Sequence, residues 1–314
     1  QTYSSCDLEP VMYLSEDSLA LMCATPRAPV ESVLDLCCGS GIQGIVALRY
    51  HADRASFVDL NPRAVRFAQF NLALNGLAHK SMGVHHGDLY DALPPAARHF
   101  DAITANPPFV PNPHGIASGG SAMFGNGGDT GDAVLSGIVR GAPGRLRPGG
   151  RLVTVAMVPN VEQLPARLEG WCAAAAAAGA GRSAGGLEAL VFRGPPTPAE
   201  RYQPTSGPAE TVRYQAALRE MAVESVSEAI IVLTVGGPES GAQQVTLAGE
   251  PRHDLWSDHA FLRFVAQRAV DTAAPDSAAA VVPPMKGVHP GFFPSHFPGP
   301  PPEWEAAARG PVRI

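Results

Sequence analysis

The chain has 314 residues, of which 45% are hydrophobic and 17% are charged, and its formal net charge at pH 7 is −6. This length is sufficient to bury a large core, so we expect one large domain, with or without an appendage. The acidic balance disfavours a protein that binds nucleic acid mainly by electrostatics, and the longest apolar stretches are far too short to span a membrane.

The first half of the chain alternates between strand-like and helix-like patterns. A short lead-in and a helix capped near Ser15 occupy residues 11–25. Further on, strands are predicted at residues 33–36, 56–60, 83–86 and 100–105, and helices at residues 45–49, 63–75 and 132–145. This alternation predicts an α/β fold with a Rossmann-like, doubly wound sheet of seven mostly parallel strands and helices on both faces.

The second half of the chain is less regular. Strands are predicted at residues 151–158, 187–192 and 229–235, and helices at residues 161–178 and 209–223. Residues 194–227 interrupt the pattern, and we interpret them as an insertion that covers the site as a lid. The predicted divisions are a lead-in with a helix (1–26), an α/β domain (27–240) and a C-terminal extension with a proline-rich tail (241–314).

A glycine-rich loop follows the first strand. Gly39, Gly41 and Gly44 form a Gly-x-Gly-x-x-Gly pattern, with Asp59 about 20 residues after the first glycine, which is typical of a dinucleotide site. Asp35, at the end of the strand, argues against a dinucleotide, because its carboxylate would repel the pyrophosphate. The same carboxylate would attract the ammonium and sulfonium groups of S-adenosyl-L-methionine, directly or through water. We therefore predict S-adenosyl-L-methionine as the cofactor.

Polar residues also stand at the ends of the next strands. Asp59 is placed to accept hydrogen bonds from both ribose hydroxyls, and Asp88 from the adenine amino group, with Leu89 packing nearby. Because the carboxyl ends of parallel strands meet at one edge of a sheet, we expect these residues, Asp35 and Asn106 to ring one crevice. The alternative, in which such residues only cap helices, explains any one of them better than all four in register.

The tetrapeptide Asn106-Pro107-Pro108-Phe109 follows the strand at residues 100–105. Each proline fixes its own φ and removes a backbone donor, and the residue before a proline is held extended. What remains is a set of acceptors, the Asn106 side-chain carbonyl and the adjacent main-chain carbonyls, which suits a planar –NH2 group. Phe109 offers a ring face for a flat amide or base. The alternative is a rigid turn from strand to loop.

Together these motifs resemble the class I S-adenosylmethionine-dependent methyltransferases, and within them the Asn-Pro-Pro-Phe/Tyr group of N-methyltransferases. The similarity extends over roughly residues 11–160. It rests on residues 33–41, 58–64, 87–90 and 106–109, and residues 127–131 and 146–150 also resemble the protein-(glutamine-N5) release factor methyltransferases.

The resemblance implies a role for each matching residue. Asp35 and the glycine loop would hold the methionine moiety, Asp59 the ribose and Asp88 the adenine, while Asn106 and Pro107 would bind the methyl-accepting nitrogen. The predicted catalytic residues are Asn106, Pro107, Pro108 and Phe109. The predicted cofactor-binding residues are Ser18, Asp35, Cys37, Gly39, Gly41, Asp59, Leu60, Asp88, Leu89 and Asn106. No metal site is predicted, because the His and Cys residues lack metal-ligand spacing.

The main functional hypothesis is an N-methyltransferase that acts on a planar amide or amino nitrogen, with a protein glutamine side chain as the first choice. Methylation of adenine or guanine amino groups in RNA or DNA is an alternative, as is methylation of a small metabolite. Outside enzymes, a cofactor-binding assembly subunit is a further alternative. A membrane partner is not predicted, and the oligomeric state is left open.

The five cysteines bear on the compartment. Their number is odd, and Cys37 and Cys38 are adjacent in the glycine loop, which disfavours a disulfide framework. We therefore expect an intracellular, reducing compartment, either the cytoplasm or an organelle stroma, and not secretion.

Overall fold

Nine strands form one sheet in the described part of the computed structural model, which covers residues 10–95, 97, 99–113, 123–177, 186–202, 208–236 and 244–248. The strands are β1 (Val30–Leu36), β2 (Ala52–Asp59), β3 (Ser81–His86), β4 (Phe100–Ala105), β5 (Leu146–Pro159), β6 (Leu187–Arg193), β7 (Thr197–Pro198), β8 (Ser225–Val235) and β9 (Gln244–Ala248). The helices are α1 (Glu16–Ala24), α2 (Ile42–Tyr50), α3 (Pro62–Leu74), α4 (Ala133–Gly141), α5 (Leu164–Ala177) and α6 (Pro208–Glu220). The predicted proline-rich tail lies outside the described residues.

The strand order is β3-β2-β1-β4-β5-β8-β6-β9, with β7 paired to β8 beside this path. The first five strands of this order run parallel, and β8 runs antiparallel to both β5 and β6. The predicted fold class is therefore confirmed, while β7 and β9 add to the seven strands expected. Between β1 and β4 the chain order reverses, which is the point where open α/β sheets bind ligands.

Helices cover both faces of the sheet because its central strands contain continuous runs of buried residues, whose side chains point to both faces. On one face, α2 and α3 pack over β1 and β2, and α1 packs over β5, β6 and β8. On the other face, α4 and α5 pack against Leu34 and Leu36 of β1 and their neighbours. Every residue of α1 from Asp17 to Ala24 is buried. The lead-in helix is thus part of the core.

Local sequence accounts well for α3. Pro62 occupies its first turn, where a missing backbone donor is tolerated. The Asn61 side chain accepts a hydrogen bond from the Arg63 backbone N–H at 2.9 Å and so caps the helix. The helix begins where the sequence predicted.

Several element boundaries differ from the prediction, and two of these differences change the extent of the sheet. The strand predicted at residues 151–158 begins earlier, because β5 already starts at Leu146. Residues 148–150 are accommodated inside β5, where the register with β4 shifts between Phe100 and Ala102. Strand β9 pairs with β6 beyond the predicted domain limit at residue 240, so the sheet extends into the segment assigned to the extension. No helix in the described part of the chain is long and apolar enough to cross a membrane.

Candidate active site

A cavity of about 450 Å³ lies at the carboxyl ends of β1, β2 and β4, within the size range of small-molecule sites. Its wall brings together many residues that the sequence analysis selected, namely Ser18, Cys37, Gly39, Asp59, Leu60, Asp88, Leu89, Asn106 and Pro108. Four other selected residues, Asp35, Gly41, Pro107 and Phe109, are not on the wall that the described residues form. Predicted cofactor residues and predicted catalytic residues therefore share one cavity.

The glycine loop is shaped by close packing as well as by backbone conformation. Gly41 has a φ of +81°, and a Cβ atom there would lie 3.1 Å from the Cβ of Ala68 on α3. At Gly44, a Cβ atom would lie 2.2 Å from the ring of Phe57 on β2. These contacts let α2 start directly behind the cavity, with its first backbone donors near the end of β1.

Asp59 fastens this loop to β2. Its Oδ2 accepts a hydrogen bond from the Gly39 backbone N–H at 2.8 Å, and its Oδ1 accepts one from the Asn61 N–H at 2.8 Å. Burial raises the pKa of Asp59, and the two backbone donors oppose that rise. Each carboxylate oxygen can accept more than one hydrogen bond, so Asp59 keeps acceptor capacity toward the cavity.

Asp35 lies beneath the loop, only 1% exposed. Its Oδ2 accepts a hydrogen bond from the Gly44 backbone N–H at 2.9 Å, while Oδ1 has no hydrogen-bond partner among the described residues. Burial raises the pKa of Asp35 well above its ordinary value. The contact observed is with the start of α2, so the predicted role toward the methionine moiety stays a prediction.

The side of the cavity on which Asp88 and Leu89 lie is more open. Asp88 is exposed and precedes a short 3₁₀ turn, Leu89–Ala92, in which Leu89 has a φ of +41°. Cys37 is half-buried beside them. Burial raises the pKa of the Cys37 thiol well above its usual range, and the charge of Asp59 adds to this effect. The thiol is therefore protonated near neutral pH, which disfavours a nucleophilic role.

Asn106 forms the opposite side of the cavity, at the end of β4. Its side-chain Nδ2 donates to Asp17 Oδ2 at 3.2 Å and to Ser18 Oγ at 3.3 Å. Pro107 is buried behind it, and Pro108 reaches the cavity wall. The ring of Phe109 packs partly buried against the apolar clusters on both faces of the sheet. Its predicted stacking with a substrate stays a prediction.

Part of the chain is similar to a known family. The sequence model described as the methyltransferase small domain matches residues 15–166.

Three known proteins, all named as glutamine methyltransferases, are similar in sequence to part of this chain. The ribosomal protein uL3 glutamine methyltransferase of Bordetella pertussis is 34% identical over 154 residues, which cover 46% of this chain and 49% of the relative. The release factor glutamine methyltransferase of the same organism is 35% identical over 135 residues, covering 41% of this chain and 47% of the relative. A putative protein N5-glutamine methyltransferase of Methanocaldococcus jannaschii is 28% identical over 145 residues, covering 46% and 71%.

The matched region spans about half the length of the two Bordetella relatives.

A segment after the tetrapeptide also contributes to the wall of the cavity. Met123, Phe124 and Asn126 line it. The segment is closed by backbone hydrogen bonds from Val110 N–H to Gly125 O at 2.8 Å and from Gly127 N–H to Val110 O at 2.9 Å. These bonds return the chain to the cavity after it has left β4.

The described part of the insertion at residues 194–227 contacts the segment that follows the tetrapeptide. Tyr214 of α6 is fully buried, and its hydroxyl donates to the Pro111 carbonyl at 2.7 Å. Around it packs a small apolar cluster that includes Leu218, Val223 and Val226. In the described part of the insertion no residue lines the cavity. The lid role stays a prediction, and the observed role is support of the segment that follows Asn106.

Two residues of this site, Asp17 and Tyr214, were not selected from the sequence. Ser18 was selected, but its neighbour Asp17 looked like an ordinary acidic residue in the first turn of a helix. Its burial beside Asn106 depends on a contact between positions 89 residues apart. The helical run EDSLALMCA begins with two acidic residues, Glu16 and Asp17, and the sequence alone does not show which of them is buried.

Proposed function

We propose that this protein is an S-adenosylmethionine-dependent N-methyltransferase that methylates the side-chain amide of a glutamine in a protein substrate. One observation carries the proposal: Asn106, on the acceptor side, and Asp59, on the cofactor side, line the same cavity. The similarity of residues 15–166 to the methyltransferase small domain supports it independently.

The lining of the cavity fits the proposed cofactor. Asp59 and Asp88 provide carboxylate oxygens for the ribose hydroxyls and the adenine amino group. Among the described residues, no Lys or Arg lines the cavity. A site without cations suits a positively charged ligand that has no phosphate, and it disfavours a dinucleotide.

When bound, S-adenosylmethionine supplies a methyl group on a positively charged sulfur. The protein then has to make a poor nucleophile react, because the lone pair of an amide nitrogen is delocalised. Asn106 Oδ1 and the Pro107 carbonyl would accept the two N–H groups, which favours a pyramidal nitrogen and offsets the positive charge that develops on it. Fixing the nitrogen in line with the methyl group adds a proximity effect, for which effective molarities reach about 10⁵ M or more.

Proton balance requires no strong base. The nitrogen forms one new bond to carbon, the carbon–sulfur bond breaks, and one N–H proton is released to solvent after transfer. This agrees with a cavity wall on which, among the described residues, no His or Lys stands.

The relatives favour a substrate from the translation apparatus. Their names state glutamine methylation of ribosomal protein uL3 and of release factors. We propose the same class of acceptor here, a glutamine side chain exposed on a loop of a ribosomal protein or a release factor.

The test is methyl transfer from labelled S-adenosylmethionine to separate acceptor pools. The pools are purified uL3, purified release factor, total RNA, DNA and a small-molecule extract, with Asn106→Ala as the inactive control. We expect label in one protein pool only, on a glutamine identified by peptide mass spectrometry. Label confined to nucleic acid or to metabolites would reassign the acceptor. Cofactor binding without any transfer would favour an assembly subunit, and absence of cofactor binding would overturn the proposal.

A further inference from the structure

Asp17 is a buried carboxylate beside the proposed acceptor residue. It is 3% exposed, and a buried charge is costly unless it is well hydrogen-bonded. Its Oδ1 accepts from the Ser15 hydroxyl, from the Ser18 backbone N–H at 2.6 Å and from Ser18 Oγ at 3.4 Å. Its Oδ2 accepts from Asn106 Nδ2 at 3.2 Å. In the described part of the chain no Lys or Arg forms an ion pair with it.

This contact decides which way the Asn106 amide points. The two ends of an asparagine amide have nearly the same shape, so its neighbours determine its orientation. A carboxylate only accepts hydrogen bonds, and it therefore requires the –NH2 end of Asn106 on its side. The carbonyl Oδ1 is then directed away from α1. Asn106 lines the cavity whereas Asp17 does not, so Oδ1 is the end left for a ligand.

The geometry points to Asp17 as a positioning residue that holds the Asn106 carbonyl toward the methyl-accepting nitrogen. This inference rests on the proposed N-methyltransferase function. Without the carboxylate, the amide can turn over and present –NH2 to the substrate, which would repel the N–H groups it has to receive. Donation to a charged acceptor also polarises the amide and strengthens Oδ1 as an acceptor.

The packing around Asp17 holds its side chain in a fixed position beside Asn106. All residues of α1 from Asp17 onward are buried, so the helix has little freedom to shift. The Ser18 carbonyl accepts a hydrogen bond from Gln43 Nε2 on α2 at 2.8 Å. Helix α1 is thereby joined to the helix that follows the glycine loop, and the acceptor is held at a fixed place relative to the cofactor side.

The first experiment compares Asp17→Asn with Glu16→Gln in methyl transfer to the glutamine substrate. Asp17→Asn keeps the shape but allows either end of its amide to face Asn106, so we expect kcat to fall about 10- to 100-fold, as for one lost charge-assisted hydrogen bond. KM for the acceptor and Kd for the cofactor should change less than about threefold. Glu16 is exposed in the same helical turn, and its loss removes the same charge, so Glu16→Gln should retain full kcat.

The second experiment reverses the polarity of the pair. Asn106→Asp alone places two carboxylates together and should be almost inactive. In the double variant Asp17→Asn/Asn106→Asp, the new amide donates to the new carboxylate, whose second oxygen faces the cavity. We expect the kcat of the double variant to be at least about tenfold higher than the kcat of Asn106→Asp. A merely structural role of Asp17 predicts additive losses and no recovery.

A third measurement does not need activity. In amide NMR spectra, the Asn106 side-chain –NH2 signals, assigned by their loss in Asn106→Ala, should show slow exchange with solvent in the wild type and in Glu16→Gln. They should exchange faster in Asp17→Asn. Fast exchange in the wild type, or unchanged kcat in Asp17→Asn, would overturn the inference. Slow exchange in a protein that methylates no acceptor would instead retain the contact and reject the proposed function.

Discussion

The two sides of the cavity are held together differently. On the cofactor side, Asp59 binds the backbone of Gly39 and Asn61, which lie 20 and 2 residues away along the chain. On the acceptor side, Asn106 depends on Asp17, 89 residues away, and Pro111 depends on Tyr214, 103 residues away. The contacts of Asp59 are thus local to the β1–α2–β2 unit, whereas the contacts of Asn106 and Pro111 form only when the whole domain has folded. Substitutions on the two sides should therefore have separable effects.

The sharpest separation is expected for Asn106→Ala. Loss of one acceptor aimed at the reacting nitrogen should lower kcat about 100- to 1,000-fold, the usual cost of removing one preorganised transition-state contact. Cofactor affinity, measured by calorimetry, should stay within about threefold of the wild type because the cofactor side does not depend on this residue. A normal kcat in this variant would show that Asn106 does not act on the reacting nitrogen, and it would contradict the proposed acceptor side.

The converse change is Asp59→Asn, with Asp53→Asn, an exposed position on the same strand, as control. The variant loses charged acceptors for the ribose and for the loop, so we expect the cofactor Kd to rise about 10- to 100-fold. Because burial raises the pKa of Asp59, the wild-type affinity should decline on acidification at a higher pH than an exposed aspartate would show. Calorimetry over a pH series should show no such decline in Asp59→Asn. An equal decline in both proteins would assign the titration to another group.

A smaller effect is expected at Gly44, which sets the distance between α2 and β2. The methyl group of Gly44→Ala would meet the Phe57 ring, so we expect a loss of about 1–3 kcal/mol in the free energy of unfolding. Gly170→Ala on α5 is the matched control, since nothing lies within 4 Å of its added Cβ, and it should stabilise the helix by about 0.5–1 kcal/mol. Denaturant titrations of both variants measure the difference. Equal stability of the two variants would mean that α2 and β2 can move apart at Gly44 without a loss of free energy of unfolding.

The smallest effect is expected for Tyr214→Phe. It removes the hydroxyl that binds the Pro111 carbonyl, at a cost of about 1 kcal/mol in stability. The acceptor KM should rise a few-fold while the cofactor Kd stays constant, as measured by steady-state kinetics and calorimetry. Tyr202→Phe, from the same apolar cluster, is the control. A change in cofactor affinity alone would contradict the assignment of α6 to the acceptor side.

The same difference between local and remote contacts explains which features could be predicted from the sequence. Strands β1, β2 and β4, the glycine loop and the Asn106 tetrapeptide were predictable because each pairs a run of apolar residues with a turn of distinctive residues. Asp35 was correctly placed on β1, but the burial of its side chain was not predicted. The sequence does not show that the Gly44 N–H donates a hydrogen bond to that carboxylate.

The acceptor side resisted prediction because its contacts are remote. Asp17 could not be distinguished from Glu16 by residue type, since only the packing of α1 against the sheet buries one and exposes the other. Strand β9 was missed for a related reason: a short strand at a sheet edge has little periodic signal before its partner is known.

The antiparallel placement of β8 has a consequence for any shortened form of this protein. β8 lies against the outer edge of β5, a strand of 14 residues, and covers Leu21 and Ala24 of α1 together with its neighbours. A fragment ending after α5 would keep almost every recognisable motif, yet it would expose a long apolar strand edge, which is a template for aggregation. The segment that carries the proposed catalytic residues and the strand that covers the edge of β5 are therefore different, and the covering strand is synthesised later.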